Sequence, residues 1–295
     1  MVWCSGWKLA SAVSNAGGLG IIGAGSMYPD VLRTHIQKCK AATTLPFGVN
    51  VPLMYPDVAA IMEIIFQENV KIVVTSAGNP NVWTPVLKEK AILVIHVVSS
   101  VGFALKAAAA GVDAIVAEGF EAGGHNGREE TTTFCLLPMV RSAVAIPLIA
   151  AGGIASGQGI LAAMALGADG VQIGSRFVAT TESSAHPKFK DLIVALKEGQ
   201  TELTLKALSP VRLIKNKFYD EVQAACTAGA NKEILKTLLG TGRAKAGMFE
   251  GDLEEGELEI GQAAGLIDAI RPAGALVEEL WQGFLQAKNS ICAKY

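Results

Sequence analysis

Residues 118–127 read EGFEAGGHNG, which sets two carboxylates, Glu118 and Glu121, and one imidazole, His125, among four glycines. An imidazole gains and loses a proton near neutrality, so His125 is the candidate acid–base group of this stretch. Two carboxylates three residues apart suggest paired acid–base work of the glycosidase kind, but a loop sets no dependable separation between them. Gly123 and Gly124 let a backbone come close to a partner. Two more glycine-rich stretches, AAGGIASG (150–157) and IGSRF (173–177), imply different chemistry. Gly152, Gly153, Gly174 and Ser175 offer N–H groups without Cβ obstruction and one hydroxyl, a pattern suited to a phosphate.

The remaining histidines read as structural. His96 lies inside an apolar run and is expected in the core, while His35 is expected on the exposed face of a polar helix. His186 precedes Pro187 and is expected to cap a helix. The cysteines, Cys4, Cys39, Cys135, Cys226 and Cys292, are odd in number and lack a C-x-x-C pair. They are expected to be small buried hydrophobes in a reducing, cytoplasmic setting, with no metal site.

These groups need elements to bring them together. Short β-branched runs recur at LGIIG (19–23), PFGVN (46–50), KIVVTS (71–76), AILVIHVV (91–98), DAIVAE (113–118), PLIAAGG (147–153) and DGVQIGS (169–175). Helical patterns lie between them, at Pro29–Ala41, Asp57–Glu68, Ser100–Ala110 and Gly157–Leu166. Strand–helix alternation predicts a parallel sheet in an α/β protein. The expected fold is a TIM (β/α)8 barrel whose first strand is missing or reduced to Met1–Trp3; a seven-stranded open sheet is the alternative. Every strand would deliver its C-terminal end to one mouth, where Asn50, Ser76, Asn79 and Glu118 would meet the glycine turns. Strands are expected to stop after Phe177. A mostly helical cap (186–260) should follow the barrel (1–185), with helices near Pro187–Glu198, Pro210–Ala228 and Asn231–Leu239. The last segment (261–295), with helices at 262–270 and 272–289, should pack back on the barrel.

Composition narrows the partners. The 295 residues are 51% hydrophobic and 18% charged, with a net charge of −2. Nothing basic enough for nucleic acid stands out, and no apolar run reaches the roughly 18 residues of a membrane span. No targeting leader is expected before the first amphipathic segment. The acidic stretch 250–259 reads as a solvated lid. With Lys215, Lys217, Arg243 and Lys245, it is also a candidate for admitting a nucleotide or a carrier protein.

VSNAGGLGIIGAG, PFGVN, TSAGNP, EGFEAGGHNG, AAGGIASGQG and GADGVQIGSRF together resemble the flavin-dependent family of nitronate monooxygenases and type II enoyl-acyl-carrier-protein reductases. The resemblance runs from about Ala10 to Ala195 and, more loosely, through VRLIKNKF and GQAAGLI. It implies FMN at the mouth, with its phosphate on Gly152, Gly153, Gly174 and Ser175. Asn50, Glu118, Gly123 and Gly124 would lie around the flavin, and Met1 and Val2 would stand where the family's first strand ends. Monooxygenases of the family typically carry Gln in place of Glu118 and Lys in place of Val97, so the resemblance favours the reductase. That implies NADH or NADPH as co-substrate and an enoyl group on acyl carrier protein as substrate; an apolar cap, rather than the resemblance, is the reason to expect a homodimer. His125 would then position the thioester carbonyl or supply a proton; in a monooxygenase it would bind the nitronate. Glu121 would hold the loop's shape. A non-catalytic barrel that binds a phosphate ligand is the third reading.

Overall fold

The computed structural model describes residues 1–293. Seven strands pair in parallel and in chain order: β1 (Gly20–Gly23), β2 (Phe47–Pro52), β3 (Ile72–Ser76), β4 (Leu93–Val98), β5 (Ala114–Glu118), β7 (Leu148–Ala151) and β8 (Gly170–Gln172). The two-residue strand β6 (Gly124–His125) leaves this sheet for another. Helix α1 (Trp7–Asn15) precedes β1. The crossovers are α2 (Pro29–Ala42), α3 (Val58–Gln67), α4 (Pro80–Glu89), α5 (Val101–Ala109), α6 (Thr133–Ala143) and α7 (Gly157–Ala165). Several begin on local signals. Asn79, Ser100 and Ser156 accept from Asn81, Phe103 and Gly159 N–H, and Pro29 and Pro80 open α2 and α4.

Alternation along the strands defines two faces. Val49, Val51, Val73, Val94, Val98, Ile115 and Leu148 point outward into the main core beneath the helices. Ile21, Val74, Ile95, Val97, Val116 and Ala151 form a separate apolar cluster on the inner face. A sheet packed on both faces and curled on itself is a TIM-barrel-like α/β fold. The expected remnant of a first strand is instead a turn: Trp3 has φ of 60°, and Cys4 N–H bonds to the Val2 carbonyl at 2.8 Å. This segment is fastened above β1, with Gly23 N–H donating to the Ser5 carbonyl at 2.9 Å.

After β8 come α8 (Ser175–Val178), α9 (Pro187–Ala195), β9 (Thr201–Thr204), β10 (Val211–Ile214), α10 (Lys217–Thr227) and α11 (Lys232–Leu239). Strands therefore do not stop at Phe177, and the expected helix over 210–228 is a strand followed by a helix. Pro210 does not open a helix, because VRLI pairs antiparallel with β9 on one side and with β6 on the other. Residues 262–270 hold only a 3-10 turn, Gln262–Leu266. The last helix, α12 (Ala273–Cys292), packs on α7 and α1. A side chain at Gly157 would strike the Gly283 backbone, so two glycines let α7 and α12 cross closely. Cys4 and Cys39 are buried, but Cys135, Cys226 and Cys292 are exposed, contrary to expectation. His35 is half-buried rather than exposed and accepts from Trp7 N–H at 3.1 Å.

Candidate functional site

The inner face turns polar where the strands end. Asn50, Ser76, Glu118 and Gln172 continue the inward alternation at the C-terminal ends of β2, β3, β5 and β8. The Asn50 side-chain amide donates to the Val74 carbonyl at 2.9 Å and to Ser76 Oγ at 3.2 Å. Its own carbonyl is left to accept from a ligand. Gln172 was legible in DGVQIGS from alternation alone and was missed. Asn79 is not part of this ring; its side chain caps α4. Glu118 has its pKa raised to about 7 by burial, an effect the nearby Met1 ammonium partly offsets.

Two turns stand beside this ring. After β7, Gly152 and Gly153 have φ of 94° and 73°, conformations that side chains rarely adopt. Among the described residues, no backbone acceptor engages the N–H groups of Gly152, Gly153 or Gly174. A Cβ built at Gly174 would meet only the Met1 side chain, at 3.7 Å and beyond. Ser175 Oγ accepts from Gly261 N–H at 2.9 Å and keeps its own proton to donate. Unpaired N–H groups on two adjacent βα turns suit an anion. Met1 lies against Gly174 and Val2 against Gly25, so both border the mouth.

The loop after β5 is organised by Glu121, whose carboxylate accepts from Thr133 N–H at 2.9 Å and from Thr133 Oγ1 at 3.0 Å. Glu121 is thereby engaged in holding the loop. Gly123 and Gly124 are crowded on the side where a Cβ would stand. A Cβ on Gly123 would lie 2.5 Å from Gly261 N, and one on Gly124 (φ 74°) would lie 2.6 Å from Glu259 Oε2. The paired glycines admit the cap segment 259–261, which crosses directly over them. His125 follows, exposed at the mouth and paired through its backbone with Val211. Arg212, buried beside it, donates from Nε to the Phe120 carbonyl at 3.1 Å and stacks on the Phe120 ring.

The crossing segment carries a residue that local pattern did not single out. Burial raises the Glu259 carboxyl above its ordinary range, while His125 and the Met1 ammonium pull it back. Its neighbour Glu257 is raised to about 8, first by burial and then by Glu259. Tyr55, from the turn after β2, is pushed up by burial and by both carboxylates.

The other candidates lie elsewhere. His96 faces outward into the core and shares a hydrogen bond with Thr75 Oγ1 at 2.7 Å; burial lowers its pKa to about 4. His186 caps α9 by accepting from Lys188 N–H. Lys215, Lys217, Arg243 and Lys245 are paired with Glu202, Glu255, Glu255 and Glu250. Among the described residues, no helix is long and apolar enough to cross a membrane. No three His, Cys, Asp or Glu side chains among them are grouped to hold a metal ion.

Comparison with known proteins bears on this mouth. The profile of the nitronate monooxygenase family matches residues 1–64 and 59–283. The solved structure of FabK from Thermotoga maritima superposes with a TM-score of 0.95 at 42% identity, covering 100% of this chain and 94% of that one. A nitroalkane oxidase from Streptomyces ansochromogenes gives a TM-score of 0.83 at 30% identity, over 98% of this chain and 94% of that one. A (3aS,4S,5R,7aS)-5-hydroxy-7a-methyl-1-oxo-octahydro-1H-indene-4-carboxyl-CoA dehydrogenase from Mycobacterium tuberculosis is 32% identical over 95% of this chain and 90% of its own length. A probable nitronate monooxygenase from Staphylococcus aureus is 36% identical over 73% of each. The chain belongs to the nitronate monooxygenase family and is an oxidoreductase.

Proposed function

We propose that this member of the nitronate monooxygenase family is an FMN-dependent enoyl-acyl-carrier-protein reductase, acting in the cytoplasm as a homodimer with NADH or NADPH. The observation that carries the reading is the similarity to FabK, which extends through the cap and reaches 42% identity against 30% for the nitroalkane oxidase. Glu118 and Val97, the two positions where the sequence resembles the reductases, lie on adjacent inner strands and support it. We also read the chain as a barrel (1–185), a cap (186–260) and a returning segment (261–295).

The residues present fit a flavin phosphate. The N–H groups of Gly152, Gly153 and Gly174 and the Ser175 hydroxyl would hold it, while Asn50 and Glu118 would line the ring edge, with Met1 and Val2 beside them. Bound there, the flavin supplies hydride chemistry that no side chain offers. The protein's share is orientation: His125, exposed above the mouth, is suited to hydrogen-bond the thioester carbonyl as negative charge develops on it.

A nitronate monooxygenase is the second reading, favoured by the family profile and the staphylococcal relative. The test compares anaerobic NAD(P)H oxidation in the presence of crotonyl thioester with aerobic turnover of an alkyl nitronate. Thioester-dependent oxidation is expected. Nitronate consumption without nicotinamide would overturn the reductase reading in favour of the monooxygenase. A colourless protein that cannot be loaded with FMN would leave only the non-catalytic barrel.

A further inference from the structure

The Glu259 carboxyl has an unusual position for a side chain from an acidic lid. It lies over Gly124, where any side chain would strike it, one residue from His125. The backbone on either side of it is fixed. Leu213 bridges Glu259, Ile214 N–H bonds to the Leu258 carbonyl at 2.9 Å, and Gly261 N–H bonds to Ser175. The groups that act on it or feel it come from separate elements: His125 on β6, Tyr55 after β2, and Cys4 and the Met1 ammonium from the N-terminal turn. Glu257 is its neighbour on the same segment, with Arg243 beyond. Gly124 beneath its carboxyl and Ser175 bonded two residues further on put Glu259 at the mouth. Among the described residues, its carboxyl makes no hydrogen bond and has no ion-pair partner within 4.0 Å.

We infer that Glu259, in its protonated form, is the acid that delivers a proton to the α-carbon of the enoyl substrate while His125 holds the carbonyl. The inference rests on the reductase reading. The β-carbon receives a hydride, for which flavin reduced by the nicotinamide is the donor. The C=C electron pair moves onto the α-carbon and the thioester oxygen. The Glu259 O–H bond then breaks as the new Cα–H bond forms, and the carboxylate regains its proton from water. Burial favours the neutral carboxyl that this role requires, against the opposing pull of His125.

The experiment uses the FMN-loaded enzyme and two variants, E259Q and E259D, of which the first is isosteric and cannot release a proton. In transient kinetics, flavin reduction by NAD(P)H should be unchanged in E259Q. Reoxidation by crotonyl thioester should slow by about 10²-fold or more, the usual contribution of a general acid. Infrared difference spectra give a readout without turnover: subtracting the E259Q spectrum from wild type or E259D at neutral pH should leave a protonated-carboxyl band over and above those of Glu118 and Glu257, which E259Q retains. E259Q reoxidised at the wild-type rate, or wild type without that band, would overturn the inference and leave the reductase reading intact. Wild-type flavin that crotonyl thioester cannot reoxidise would overturn both.

Discussion

The outer and inner faces of the same seven strands obey different rules, and β4 presents both in adjacent residues. His96 faces out, is packed among Val94, Val98 and the helices, and is satisfied by Thr75; Val97 faces in, beneath the mouth. His96 is tolerated there because it has a partner. At the top of the inner face, Glu118 and, from the segment above it, Glu259 are partly buried without a hydrogen-bond partner, and Gly152, Gly153 and Gly174 present free N–H groups. Polar groups with hydrogen-bonding capacity to spare thus gather at the mouth, whereas the core histidine is paired.

Substitutions on the two faces should therefore divide cleanly between activity and stability. The largest effect is expected for His125→Ala, with thioester turnover falling by about 10²–10⁴. Because His125 is exposed, its melting temperature should match wild type, and FMN should stay bound. Leu148→Ala, fully buried on the outer face, should cost about 2–5 kcal/mol in denaturant unfolding and leave kcat per folded molecule unchanged. A loss of activity larger than the loss of folded protein would blur the division.

The acids and bases allow finer tests. Burial raises Glu118 from 4.5 to about 7, so the folded protein holds a proton that the unfolded chain has released. Wild type should lose stability as pH rises across that window, and Glu118→Gln should abolish the loss, a gain on the order of 1–3 kcal/mol above neutrality. His96 is lowered from 6.5 to about 4, so its contribution is present above 6.5 and lost as pH falls toward 4. His96→Leu should remove this acid sensitivity, about 1–2 kcal/mol near pH 5, without altering turnover. Thermal unfolding at a series of pH values reads both, and identical pH profiles for the variants and wild type would contradict the assignments.

Much of this was legible because buried parallel strands write themselves as β-branched runs, and all seven predicted runs are strands of the main sheet. The cap was harder. TELT and VRLI are four-residue strands with charged residues in them; they pair with each other, and VRLI also with a distant partner, Gly124–His125. The same long-range closure hid Glu259, which reads locally as one acid among many in GDLEEGELE. It also adds a packing role for Gly123 and Gly124, whose missing side chains make room for that returning segment. Which cysteines are exposed depends on how each helix is rotated against its neighbours, and that is set only by packing.

The central claim is that the turns after β7 and β8 form the anion cradle of a flavin site. Gly174→Glu tests it most directly, because φ at this position is −101° and a Cβ there meets only the flexible Met1 side chain. Calorimetric titration of FMN into wild type and Gly174→Glu should give an affinity lower by about tenfold or more, roughly 1.4 kcal/mol, with the melting temperature of the apoprotein unchanged. Equal FMN affinity in the two proteins would contradict the account.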